Sequence, residues 1–165
     1  MEFAAELARV LPDDVPHRER LIEKSAAHLG LILAANEHFN LTRITSATEA
    51  AVKHVFDSVA PWRFFAGARR VLDAGTGPGF PGVPLAIVLP EVRFTLAEST
   101  QKKARFVDSS VESLHLPNVE VLAERAEQVA AWMAEFLDWP ATFRAGEIER
   151  YQAAMDRQAA AIFSS

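Results

Sequence analysis

Cysteine is absent from this chain of 165 residues. Its absence removes disulfides, thiolate zinc sites and a cysteine nucleophile, and it agrees with a reducing compartment. Long apolar runs are missing too: the longest, Val83 to Leu89, is far too short to cross a bilayer. The opening Met1-Glu2-Phe3-Ala4-Ala5-Glu6-Leu7 carries an acid early and no basic flank, unlike a secretory signal. A cytoplasmic protein without a membrane partner is therefore expected. Positive charge is also in short supply, with 17 Lys and Arg against 22 Asp and Glu and a net charge of −5. A generic nucleic-acid coat needs a strong positive field, so any RNA contact must come from a local basic patch. The five histidines, His17, His28, His38, His54 and His115, do not fall at metal-ligand spacing, and no metal is expected. What remains is an ordinary globular mixture, 50% hydrophobic and 24% charged, sized for one domain with a small appendage.

The chain falls into three expected regions, 1–65, 66–127 and 128–165. The first is helical. Phe3, Leu7, Val10 and Leu11 share one face before Pro12-Asp13-Asp14 stops the helix. A second helix after Pro16 carries the stripe Leu21, Ile22, Ala26, Leu29 and Leu33. Asn36 to Thr45 reads as a polar connection, and Ser46-Ala47-Thr48-Glu49 matches a capping box. The helix that follows should turn Val52, Val55, Phe56 and Val59 inward and align His54, Asp57 and Ser58 on another face.

From Arg69 the pattern alternates. Arg70 to Ala74 reads as a strand, a glycine-rich loop and an apolar helix follow, and Pro90 closes that helix. Val92 to Glu98 is a second strand, Ser99 or Thr100 caps a helix to about Leu114, and Val119 to Ala123 is a third strand. Such a β-α-β-α-β series implies parallel strands joined by right-handed crossovers. Residues 128–165 contain no strand-like run. They are expected to be helices that cover the open first-strand edge of a short sheet, within the chain or across a dimer.

The loop Gly75-Thr76-Gly77-Pro78-Gly79-Phe80-Pro81-Gly82 is the main chemical signal. A strand ending in such a turn leaves backbone N–H groups directed into a crevice at the carboxyl edge of the sheet. S-adenosylmethionine (SAM) suits that crevice. Asp73 at the first strand end can fix its ammonium, and Glu98 at the second can accept from its ribose hydroxyls. A dinucleotide is the rival, since Gly77 to Gly82 satisfies G-x-G-x-x-G and Glu98 lies close to the expected distance. Pro78 and Pro81 remove two donors that a pyrophosphate needs, and Phe80 is expected to thrust its ring into the crevice.

Asn40-Leu41-Thr42, His54 to Ser58, Leu72 to Gly82, Lys102 to Phe106 and Arg125-Ala126-Glu127 together resemble one bacterial family. It is the 16S ribosomal RNA guanine-N7 methyltransferases, also called glucose-inhibited division protein B. The resemblance implies a class I SAM-dependent methyltransferase fold, α/β and Rossmann-like, and methyl transfer to N7 of a guanine in 16S rRNA of the small ribosomal subunit. By position it assigns cofactor contacts to Gly75, Phe80, Ala126 and Glu127, which join Asp73, Gly77, Gly79 and Glu98. The family's later strands, and an arginine beside the cofactor, have no match after Glu127, so an incomplete sheet with a helical tail is expected.

Guanine N7 carries a free in-plane lone pair, so no catalytic base is expected, only alignment and exclusion of water. Lys102, Lys103 and Arg105 crowd one helical turn near Glu98, with Arg43 and His54 as further RNA-contact candidates. Lys53, Arg69 and Arg70 are expected to extend that patch. A solvated helix face explains the same cations equally well. Two other functions stay open: a non-catalytic RNA- or ribosome-binding module with a relic pocket, and an NAD-dependent oxidoreductase. The latter lacks a recognisable hydride site, the only tyrosine being Tyr151 in the tail.

Overall fold

The computed structural model describes residues 2–38, 40–44 and 46–124, together with Gln128, Ala131 and Gly146. Residues 1–123 form one compact unit and 124–165 another. The helical tail expected over 128–165 lies outside the described residues, those three positions apart.

In chain order the elements are α1 (Glu2–Val10), α2 (Arg18–Asn36), α3 (Ala47–Ala50), a π-helical segment (Ala51–Phe56), α4 (Asp57–Val59), α5 (Trp62–Phe65), β1 (Arg70–Ala74), α6 (Gly82–Val88), β2 (Arg93–Ala97), α7 (Gln101–Ser113) and β3 (Val119–Leu122). Among the described residues three strands pair in parallel in the order β1-β2-β3, with β1 at one end of that order. This is the expected α/β arrangement with an incomplete parallel sheet. No helix of the described residues is long and apolar enough to cross a membrane.

Register explains which face of the sheet is covered. Val71 pairs with Phe94 and Asp73 with Leu96, and strand alternation puts all four on one side. A Cβ added to Gly82 at the start of α6 would strike both Leu96 and Asp73, so α6 packs on that same side. Helix α6 is buried along its whole length because β2 lies beneath it and α2 and α4 lie against it. Its residues are apolar throughout rather than amphipathic for that reason.

The N-terminal helices differ from the sequence reading in three places. On α2 the buried residues are Leu21, Ser25, His28, Leu29 and Ile32, whereas Leu33 is 44% exposed. Leu21 and Leu29 are inside as expected and Ile22 and Ala26 pack partly buried against the core, but Ser25 and His28 also take core positions, so the buried face is rotated away from Leu33. In the capping box, Ser46 does accept from Glu49 N at 3.3 Å, but Glu49 turns its carboxylate to Lys53 at 2.6 Å. The π-helical turn that follows widens the helix and re-aims its faces. Val55 and Val59 remain inside as expected, while Val52 is 36% exposed and Ala51 takes an inner position.

Asn118 joins three elements at the amino end of β3. Its Nδ2 group lies 3.0 Å from Ala86 O, 3.3 Å from Leu89 O and 3.1 Å from Val92 O. Its two amide hydrogens are shared among these carbonyls: Ala86 O lacks a helical donor because residue 90 is a proline, while Leu89 O also accepts from Val92 N. Replacing Asn118 by Ala is expected to cost about 1–3 kcal/mol, read as a lower urea midpoint with an unchanged slope.

Candidate functional site

The glycine-rich loop leaves β1 and enters α6 at the carboxyl end of the sheet. Gly75, Gly77 and Gly79 all have positive φ, and the Phe80–Pro81 peptide is cis. Asp73 gathers the loop from beneath. Its Oδ2 accepts from Thr76 Oγ1 at 2.7 Å and from Gly82 N at 3.0 Å. Burial raises the Asp73 carboxyl above the ordinary range, the bonds from Thr76 and Gly82 oppose that rise, and nearby Glu98 adds to it.

Glu98 gathers the loop from the side and is only 6% exposed. Its Oε2 accepts from Gly77 N at 3.1 Å, and its Oε1 accepts from Thr100 N at 2.8 Å. The same carboxylate therefore serves the loop and the amino end of α7. No side-chain cap from Thr100 is made there, so the expected Ser99 or Thr100 cap is replaced by the acid of the preceding strand.

The remaining loop amides are also used internally. Gly75 N and Thr76 N donate to Ala97 O at 2.8 and 3.1 Å. Gly79 N and Phe80 N donate to Thr76 O at 2.9 and 3.0 Å. Pro78 and Pro81 have no amide hydrogen. Every N–H from Gly75 to Gly82 is thus satisfied within the protein, which corrects the expectation of amides directed into the crevice. The carbonyls of Gly75 and Gly77, in contrast, accept no hydrogen bond among the described residues. Acceptors without a donor suit ammonium and hydroxyl groups. A pyrophosphate needs donors, and the NAD reading loses its main support.

The Phe80 ring packs against the N-terminal helices, stacked on His54 at a centroid distance of 4.6 Å and an interplanar angle of 1°. His28 lies on it at 5.1 Å and 40°. His54 Nε2 meets Thr42 Oγ1 at 2.9 Å, and Thr42 Oγ1 also accepts from Ile44 N at 3.1 Å. Burial holds His54 below its ordinary pKa, with Glu49 opposing and Lys53 adding to the shift. Ser58 Oγ donates to the His54 carbonyl, so their shared face is a backbone contact. No bond from Asp57 joins it among the described residues.

The basic residues divide between the two ends of the sheet. Lys102 and Arg105 are exposed and Lys103 half-buried on the first turns of α7, directly after Glu98. None of the three makes an ion pair among the described residues. Arg43 is exposed beside Thr42, the partner of His54, whereas Lys53 is paired with Glu49. Arg69 and Arg70 stand at the amino end of β1, where Arg70 pairs in register with Arg93. They stand at the opposite end of β1 from the glycine loop, Arg70 being roughly 17 Å from Gly75 along the strand, so they do not extend the patch. Ala126 and Glu127 lie outside the described residues.

The family described as rRNA small subunit methyltransferase G, or GidB, matches residues 21–153. The chain belongs to this family. A ribosomal RNA small subunit methyltransferase G from Solibacter usitatus is 53% identical over 164 residues, covering 99% of this chain and 73% of the relative. Proteins of the same description from Nitrosococcus oceani and Sorangium cellulosum are 45% and 47% identical over 101 and 113 residues. The chain spans 47% of the length of each of those two.

His28 escaped notice as a site residue because a lone histidine within a helix carries no spacing signal. It is almost wholly buried, and burial pushes its pKa from 6.5 down to about 4, against the bond at Pro78 and with His54 adding slightly. Between those values the unfolded chain binds a proton that the folded chain does not. Stability should therefore rise with pH across that window and be lost on acidification, by up to about 3 kcal/mol. The raised pKa of Asp73 acts in the opposite sense. Urea midpoints of wild type minus His28→Leu isolate the histidine, and a difference curve flat between pH 6.5 and 4 would contradict the assignment.

Gly82 is the tightest point of the site, since an added Cβ would fall 2.2 Å from Leu96 Cδ2 and 2.8 Å from Asp73 Oδ2. Gly82→Ala is expected to cost at least about 1–3 kcal/mol by overpacking and to displace the Asp73 carboxylate, visible as a lower melting temperature.

Proposed function

We propose that the chain binds SAM in the glycine-rich turn and acts on N7 of a guanine in small-subunit ribosomal RNA. One observation carries this reading: a turn at the carboxyl edge of a parallel sheet whose N–H groups are all spent internally while the Gly75 and Gly77 carbonyls accept no hydrogen bond among the described residues. Membership in the family described as rRNA small subunit methyltransferase G supports it.

The residues present fit such a cofactor. The free carbonyls and the Asp73 side suit its ammonium, and each oxygen of Glu98 keeps a second lone pair for a ribose hydroxyl beyond its backbone donor. When bound, SAM supplies a methyl group already activated by the sulfonium. The protein then has to align that group with N7 and keep water out. Asp73 and Glu98 act by holding the loop in one shape. Lys102, Lys103, Arg105 and Arg43 act by contacting phosphates and orienting the RNA, with His54 beside them. No side chain has a proton to remove, because N7 is unprotonated and carries its lone pair in the plane of the base.

Small-subunit rRNA lacking this modification is expected to accept labelled methyl groups from SAM. The same RNA carrying 7-deazaguanine, which has no nitrogen at that position, should accept none. Retained incorporation into the deaza RNA would reject N7, and cofactor binding without any methyl transfer would favour the RNA-binding reading. Glu98→Ala should weaken SAM binding by about 1–3 kcal/mol, and an unchanged dissociation constant would reject Glu98 as a cofactor residue. Replacing Lys102 and Lys103 together by Ala should leave SAM affinity alone while lowering RNA affinity and flattening its salt dependence. An unaltered salt slope would make those lysines a solvated face.

A further inference from the structure

His28 has no part in the mechanism above, yet it is in direct contact with the backbone of the loop. It is 1% exposed on α2. Its Nε2 lies 2.9 Å from Pro78 O, across 50 residues of chain. A Cβ on Gly79 would fall 3.0 Å from His28 Cε1 and 3.3 Å from its Nε2, so the imidazole lies against the backbone of Gly79 itself. The ring is also stacked on Phe106 of α7 at 6.4 Å and 18° and packs on Phe80.

A carbonyl oxygen only accepts, so Nε2 must carry the hydrogen. The peptide between Pro78 and Gly79 is then held at both ends: its N–H by Thr76 O at 2.9 Å, its C=O by His28. Gly79, at φ 109°, has no side chain to resist rotation of that plane. The hold from Thr76 comes from within the loop and moves with it. The hold from His28 comes from α2 and ties the loop to the helical region. Phe80, the next residue, is bracketed by His28 and His54, and His54 is bonded to Thr42. A continuous set of contacts thus runs from the connection carrying Thr42 and Arg43 to the turn.

We propose that His28 is a positioning residue for the cofactor turn: its Nε2–H fixes the Pro78–Gly79 peptide in the orientation that the cofactor meets. The reference to a cofactor rests on the SAM reading above; the fixing of the peptide does not.

The 165-residue chain, with S-adenosylhomocysteine as the probe, provides the test. His28→Gln retains an amide donor near the position of Nε2, whereas His28→Leu retains bulk and no donor. By calorimetry His28→Gln should bind within about threefold of wild type, and His28→Leu about tenfold or more weakly. Without ligand, the Gly79 amide of His28→Leu should exchange with solvent about tenfold faster, and wild-type His28 should give the nitrogen spectrum of an Nε2–H tautomer at neutral pH. Equal binding and equal exchange in all three proteins would overturn the proposal, as would an Nδ1–H tautomer. Should His28→Leu fail to fold, the tautomer and the behaviour of His28→Gln decide. A wild type that does not bind the probe would reject the SAM reading, and the exchange and tautomer results would still judge His28.

Discussion

Two carboxylates at adjacent strand ends hold the turn on which the rest of this site depends. Asp73 takes the hydroxyl of Thr76 and the amide of Gly82, and Glu98 takes the amides of Gly77 and Thr100. With Ala97 O and Thr76 O accepting the other amides, the loop is saturated in donors. A saturated loop cannot reorganise around an anion without breaking bonds it already has, each of which is costly to leave unmade in a partly buried place. Among the described residues the Gly75 and Gly77 carbonyls accept no hydrogen bond, an arrangement that suits a cationic or hydroxyl-bearing group better than a phosphate, which requires donors.

The same arrangement links the parallel sheet to the helices before it. Helix α6 is wholly apolar because it lies between β2 on one side and α2 and α4 on the other. Where α2 reaches the turn, the apolar packing gives way to a histidine whose ring nitrogen is bonded and whose face is stacked. A buried imidazole is tolerated when its polar atom is satisfied, and here the partner is the loop itself. The N-terminal helices thus support the turn as well as the core.

Much of this was legible in the residues. Strand–loop–helix alternation after Arg69 and the helical N-terminal region follow from local periodicity, which neighbours seldom override in strongly patterned segments. The acids at both strand ends were legible as well, because their positions follow from where each strand stops. What periodicity could not reveal was direction. For Phe80, only the folded chain shows that its ring lies against His54 and His28 of the helical region. The buried face of α2 was obscured because Ser25 and His28 occupy core positions while Leu33 faces outward. Val52 was misjudged because a π-helical turn shifts the faces of its helix. Arg69 and Arg70 adjoin the loop in sequence, yet β1 separates them from it in space.

The claim that matters most is that the turn is built for SAM and not for a dinucleotide, and equilibrium binding to the wild-type chain tests it directly. Titration with S-adenosylhomocysteine should be saturable and should raise the melting temperature, since a ligand at about 100 times its dissociation constant stabilises by roughly 2.7 kcal/mol. NAD under the same conditions should produce neither heat nor a shift. Saturable NAD binding, with no response to S-adenosylhomocysteine, would contradict the account.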